Sequence, residues 1–144
     1  MAGFGYFDIL QLCTCLLSEA QACCHSRALG CYGDFNIIRD AQEKISNTPP
    51  DLNDITEFNS CLERCGLDDL PDIGCEFTWF NKHDLSTRVY SKLDRVLTNA
   101  DWILTFTQTY ASFPSPNVSD HCPALLQFSG DPHPKSSLNS QLLD

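Results

Sequence analysis

The sequence predicts a mixed α/β domain, on three observations. Short apolar runs bounded by Gly, Pro and Asn recur along the chain, as buried strands do. One stretch, Asp51 to Gly66, instead carries its apolar residues at helical spacing. The strand-like runs lie on both sides of that helix, which is the order of a mixed domain. With 144 residues, 42% of them hydrophobic, the chain can build one packed core. That excludes a coiled coil and a collagen-like repeat. No run reaches the ~18 apolar residues of a membrane-spanning helix, so no membrane partner is expected.

Ala28 to Tyr32 reads as a short buried strand, ended by Gly33-Asp34-Phe35-Asn36. Pro49-Pro50 stops what precedes the helix, and Asp51 suits its N-cap. Ile55, Phe58, Leu62 and Cys65 then recur at spacings of three and four, and Gly66 is placed to end the helix. Leu67 to Leu70 suits a short strand or an extended connection, closed by Pro71. Glu76 to Phe80 is aromatic and β-prone, Asn81 to Thr87 a polar turn, and Val89 to Leu97 a second strand. Ala100 to Ile103 suits a helical turn, Phe113 to Pro116 a loop, and Ala124 to Phe128 a final strand. From Gly130 the Pro, Ser and polar content reads as a frayed tail. Residues 1–27 are apolar, rich in Cys and unassigned.

The formal net charge is −10, from 9 Lys+Arg against 19 Asp+Glu. That argues against a generic polyanion binder, which would carry a basic patch. The charge is uneven, however. Asp51 to Asp72 is almost purely acidic, whereas Lys82, Arg88, Lys92 and Arg95 outnumber Asp84 and Asp94 in the stretch that follows. The two stretches are either solvated faces or, for the second, a surface that meets phosphate.

Nine cysteines are an odd count without a framework spacing, and the expectation is reduced, buried thiols in an intracellular protein, nuclear or cytoplasmic. Ile9 to Leu17 imitates a secretory core, but no Lys or Arg precedes it, so secretion is not expected. Cys13-Thr14-Cys15 and Cys23-Cys24-His25 lack the usual spacing of a zinc site.

Three constellations could carry chemistry. Asp34 and Asn36 stand two apart at a strand end, where both side chains would face one side. They could handle a proton and contact an anion, or simply close an Asx turn. Asp94 lies beside Arg95 in an apolar strand, where a charge is costly unless paired. It is either a site residue or half of an Asp–Arg pair. Asp120-His121 leads from a polar loop into an apolar run. A His held by a carboxylate is a ready base or phosphate contact, and equally a loop hydrogen bond.

Taken in order, Gly33-Asp34-Phe35-Asn36, Phe77-Thr78-Trp79, Ser91-Lys92-Leu93-Asp94-Arg95-Val96-Leu97 and Ser119-Asp120-His121 resemble the endonuclease/exonuclease/phosphatase superfamily. Within it they are most similar to the apurinic-endonuclease-like nuclease of plant LINE-type (non-LTR) retrotransposons, and Trp102 fits that subgroup. The resemblance covers roughly Ala28 to Phe128. It implies a four-layer α/β sandwich of which this chain carries the C-terminal part, in residues 28–129, with the N-terminal half and its metal-binding Glu missing. It further implies hydrolysis of a DNA phosphodiester by water with Mg²⁺. His121 would be the base or phosphate contact oriented by Asp94, Asp34 would handle a proton, Asn36 would bind the phosphate, and Asp120 would assist the metal. With the Glu missing, the resemblance implies a truncated and inactive retroelement product. The alternative is a non-catalytic fragment that binds a partner through exposed apolar surface.

Overall fold

The structure, a computed structural model, describes residues 28–128. The expectations for residues 1–27 and for the tail from 130 to 144 lie outside the described residues.

Among the described residues nine strands form three small sheets: β1 (Gly30–Asp34), β2 (Lys44–Ile45), β3 (Leu67–Asp69), β4 (Asp72–Gly74), β5 (Trp79–Phe80), β6 (Tyr90–Ser91), β7 (Asp94–Asn99), β8 (Thr109–Phe113) and β9 (Leu125–Phe128). Two helices accompany them, α1 (Leu52–Cys65) and α2 (Ala100–Thr105), with a 3-10 turn at Ala41–Glu43. The strand orders are β1-β7-β3, β2-β6-β5 and β4-β8-β9. The class is mixed α/β, as the sequence predicts. Among the described residues no helix is long and apolar enough to cross a membrane.

The helix forms where the spacing places it. The Asp51 side chain accepts the Asn53 N–H at 2.8 Å, which satisfies one of the donors a first turn leaves open. At the other end Gly66 adopts φ 66°, a left-handed conformation that an L side chain resists, and its N–H closes on the Glu63 carbonyl at 3.1 Å. The face between the caps buries Phe58, Cys61 and Leu62.

Strand β7 is the centre. It pairs antiparallel with β1 on one side, Asp34 opposite Asp94, and with β3 on the other. Alternation sends its successive side chains to opposite faces. Leu97 enters a core with Cys31, Ile37, Phe58, Leu62 and Leu67, which seals α1 to the sheet. Val96 enters a second core with Leu70, Ala111, Phe113 and Cys122, which seals the sheet to β8. The order of layers is therefore helix, sheet, sheet.

Arg95 shares the face of Leu97 by the same alternation. Its guanidinium has no exposed surface and reaches two carboxylates from distant segments: Glu43 after the 3-10 turn begins, and Asp69 of β3 at 2.9 Å. Asp69 is shared with Arg39, 2.8 Å away, which also bonds Asp68 at 2.6 Å and Asn59 of α1 at 2.9 Å. The alternative of an Asp94–Arg95 pair is excluded, because adjacent strand residues point apart.

Several elements differ from the sequence expectation, and β2 and β4 form where it places no strand. The run Val89 to Leu97 is two strands, β6 and β7, broken at Lys92-Leu93. The N–H groups of Leu93 and Asp94 turn to the Thr78 hydroxyl, at 3.0 and 2.9 Å, and that of Lys92 to the Glu43 carbonyl at 2.9 Å. Glu76 to Phe80 contracts to β5. Thr109–Phe113, β-prone in composition, forms β8 ahead of the loop expected at Phe113 to Pro116. Of the described cysteines, Cys31, Cys65, Cys75 and Cys122 are free thiols, whereas Cys61 is disulfide-bonded. The expectation of reduced thiols therefore fails at Cys61.

An enclosed guanidinium without its anions is far more costly than the pair is favourable. Glu43→Gln with Asp69→Asn should therefore destabilise the chain by about 3–5 kcal/mol. Arg95→Met, which removes the charge itself and leaves two half-exposed carboxylates, should cost less. Urea unfolding of the three chains checks the order; equal losses would show that Arg95 does not depend on these anions.

Candidate functional site

The site begins at the β1–β7 ladder. Asp34 and Asp94 are directly opposed in the register, and like charges so placed repel. What lies against them is His121. Its Nδ1 is 2.9 Å from Asp94 Oδ2, and its Nε2 is 3.9 Å from Asp34 Oδ2. The first is a hydrogen bond; the second is a longer, purely electrostatic approach.

The segment Thr78–Phe80 delivers His121 to this place. On one edge it pairs with β6, through Thr78 N–H to the Ser91 carbonyl at 3.1 Å and the Trp79–Ser91 register. On its other edge Cys122 N–H donates to the Thr78 carbonyl at 2.7 Å, Phe80 N–H donates to the Asp120 carbonyl at 3.1 Å, and Trp79 forms a bridge with His121. The Trp79 and His121 rings lie 6.5 Å apart. His121 N–H is held in turn by Ser119 Oγ at 3.0 Å.

Thr78 is fully buried. Its hydroxyl oxygen accepts the N–H groups of Leu93 and Asp94, which fills both acceptor sites of a hydroxyl. Thr78 thus holds Asp94 by its backbone. It is a positioning residue to which the sequence alone gives no role. A lone Thr within an aromatic run was the available signal.

Burial pushes the Asp94 carboxyl above its ordinary 3.8, and the neighbouring Asp34 charge adds to this; His121 and Thr78 oppose it. Asp120 is lowered, first by its own backbone N–H and then by Trp79, His121 and Lys82.

The structure brings Asp34, Asp94 and His121 together. Asn36 joins differently. The strand ends at Asp34, so the argument that strand alternation aligns the two side chains does not apply. Asn36 sits at φ 53°, and its N–H donates to Asp34 Oδ1 at 2.8 Å. Both readings of this pair hold together: Oδ1 closes an Asx turn while Oδ2 faces His121. Asn36 lines a cleft of about 300 Å³ with Trp79, Ser91 and Leu93 among others. Asp120 is the outlier, for its carboxylate takes the Trp79 indole N–H at 3.3 Å.

A Mg²⁺ ion favours oxygen ligands in octahedral array, commonly one or two carboxylates with water and substrate phosphate. Here Asp94 is bonded to His121, and Asp120 to Trp79. Among the described residues no three His, Cys, Asp or Glu side chains gather closely enough to hold a metal ion. The described residues do not fit the expected Mg²⁺.

The bases divide as well. Lys92 is paired with Asp72 at 2.6 Å and Arg95 is enclosed, so neither meets an outside phosphate. Among the described residues Lys82 and Arg88, in the β5–β6 connection, bond only neutral oxygens: Lys82 Nζ to the Val118 carbonyl at 2.7 Å, and Arg88 to the His83 carbonyl at 3.0 Å and the Tyr90 hydroxyl at 3.3 Å.

Compared with known protein families and curated proteins, the chain matches no family model and no curated protein.

Two outcomes follow. Thr78→Val, nearly isosteric, strips two backbone N–H groups of their acceptor and should cost about 1–3 kcal/mol in urea unfolding. It should also move the His121 ring resonances in NMR. An unmoved His121 would show that Thr78 does not position the pair. The second concerns pH. A carboxyl raised in the folded state contributes stability that is present below its unfolded pKa and lost as pH rises through the folded value. Asp94→Asn lacks this loss, so its stability relative to the parent chain should rise as pH climbs from below 3.8. A difference that is flat with pH would refute the assignment.

Proposed function

We propose that residues 28–128 are the C-terminal part of an endonuclease/exonuclease/phosphatase-type domain like that of plant LINE-type retrotransposons, and that the site contacts a DNA phosphodiester. The observation that supports it is His121 set between Asp94 and Asp34, with all three supplied by separate blocks of the resemblance. The family's four-layer sandwich is part of this proposal; the helix–sheet–sheet order described above is compatible with one side of it.

On this reading each group has a task. A phosphodiester is anionic and gains charge as it is attacked, so the site must offer donors and a base rather than further carboxylates alone. Asp94 orients the imidazole through Nδ1, which leaves Nε2 to meet a phosphate oxygen or take a proton from water. Asp34, beside Nε2, receives or returns that proton. Asn36 lines the adjoining cleft, where its amide can donate to phosphate. Lys82 and Arg88 supply positive charge that no carboxylate hydrogen-bonds. No step is assigned to a metal, because the donor set does not hold one. The described residues would thus supply the proton-handling side of a nuclease site, and this chain should bind DNA weakly without cutting it.

Titration of a short DNA duplex into the labelled chain should shift the His121 and Asn36 resonances. His121→Ala should weaken that binding about fivefold, the equivalent of one hydrogen bond of about 1 kcal/mol. A supercoiled plasmid incubated with the chain and Mg²⁺ should stay intact. Absence of shifts at His121 and Asn36 would overturn the site; Mg²⁺-dependent nicking lost in His121→Ala would overturn the claim that it does not cut, and a partner protein bound without DNA would favour an interaction module.

A further inference from the structure

Strand β4 is an edge of its sheet, whose order is β4-β8-β9. Its parallel partner β8 takes one row of its backbone groups. The Pro71 carbonyl accepts the Ala111 N–H at 2.9 Å, and the Cys75 N–H donates to the Phe113 carbonyl at 2.8 Å. In a trans peptide the C=O and the N–H point to opposite sides. The Asp72 N–H shares its peptide with the Pro71 carbonyl and therefore points away from β8. The Gly74 carbonyl shares its peptide with the Cys75 N–H and points away as well. Among the described residues no strand pairs with β4 on that side. One donor and one acceptor are thus offered two residues apart, as a strand offers them to a neighbour.

A cleft of about 410 Å³ runs along this strand. One wall is residues 72–76, and the other carries Asp40, Glu43 and Lys92. At ~3.3 Å per extended residue the first wall is roughly 16 Å long, enough to seat a short strand. The charges of the cleft do not cancel. Lys92 pairs with Asp72 at 2.6 Å, and Glu43 is a partner of the enclosed Arg95. Asp40 and Glu76 remain, both exposed, one on each wall. Among the described residues neither pairs with a cation. Ile73, in the first wall, is exposed too.

We propose that β4 and this cleft are a docking site for an extended segment of another protein, rich in Lys or Arg, that adds to the sheet as a strand beside β4. The inference does not rest on the proposed function, because it uses neither His121 nor the two carboxylates about it.

An open sheet edge accepts any extended chain that can approach it, and the main chain supplies the attraction. Charge decides which chain that is. A second copy would bring the same carboxylates to the ladder, and like charges placed across a ladder repel. A nucleic acid is repelled on the same ground. A basic segment is attracted: its backbone closes on the Asp72 N–H and the Gly74 carbonyl, while its cationic side chains reach Asp40 and Glu76. Asp72 and Ile73 face opposite sides of β4. Apolar residues alternating with the basic ones therefore cover Ile73.

The test uses the full chain and a fluorescent heptapeptide of alternating Lys and Val, with binding read by anisotropy. The peptide should bind, more weakly as salt is added. Its fully N-methylated form keeps every charge but has no N–H to donate, and should bind at least about tenfold more weakly. Asp40→Asn with Glu76→Gln should weaken binding about fivefold. Asn is as good a cap as Asp for the 3-10 turn, so the fold is kept. Glu57→Gln with Glu63→Gln, which removes the same charge from α1, should leave binding unchanged. Hydrogen exchange of the Asp72 amide should slow when the peptide is bound. No binding, or an unprotected Asp72 amide, overturns the proposal. Equal binding of the N-methylated peptide overturns strand addition, and an equal loss in the α1 variant overturns the assignment to this cleft. A dimer of the chain that the peptide dissociates overturns the choice of partner in favour of a second copy.

Discussion

A guanidinium with no water contact has to find its anions inside the protein, and Arg95 finds them in two segments far apart along the chain. Glu43 comes from the connection after β1 and Asp69 from β3. Because each must reach one buried point on β7, the ion pairs fix where both segments lie against the sheet. Arg39 extends the constraint to α1 through Asn59. Such a network is weak evidence of net stability, since desolvation offsets most of the attraction. Its effect is positional: conformations that separate Arg95 from its carboxylates leave a buried charge uncompensated.

That constraint on β7 is also what makes the candidate site possible. Asp94 and Arg95 are neighbours, so the alternation that sends Arg95 to the helix face sends Asp94 to the other. There it meets Asp34 across the ladder, two carboxylates on adjacent strands. The conflict is softened from two directions: Asn36 N–H donates to Asp34, and His121 lies between the two acids. A proton shared or exchanged at this point changes the energy of all three groups at once. That is the physical property a proton-handling site requires, whatever its ligand.

The helix and its caps were legible because they are local. Asp51, Gly66 and the spacing of Phe58 and Leu62 act within a few residues of one another, and the chain elsewhere did not overrule them. The break at Lys92-Leu93 was not legible. It depends on Thr78, a buried hydroxyl that competes for backbone N–H groups which a strand would otherwise use, and nothing local in Val89 to Leu97 announces that competitor. Strand β8 is obscured for a plainer reason: it runs directly into a Pro-rich loop and its residues show no clean alternation. At the site, the convergence of Asp34, Asp94 and His121 was inferred from ordered blocks, not from periodicity. Alternation failed for Asn36, where the strand had already ended, and no pattern foretold that Trp79 would take the Asp120 carboxylate. The disulfide at Cys61 was beyond composition too, because Cys61 and Cys65 share the same helical spacing yet differ in state.

Charge gives the last step. Counted along the sequence, Lys82 to Arg95 is a basic stretch in an acidic chain, and the count treats its bases as equals. The fold separates them. Lys92 and Arg95 are neutralised by carboxylates, which hold them to the sheet and remove their field from the surface. Lys82 and Arg88 are held by carbonyls and a phenol, contacts that orient a cation without cancelling it. Lys82 reaches across to Val118, in the loop that leads to His121. Its charge is felt at Asp120, the residue before the imidazole. A chain of net charge −10 repels a polyanion at long range, so on the proposed reading a phosphate at the His121 site is attracted at short range, and Lys82, bonded to the loop that leads to His121, is placed to do so.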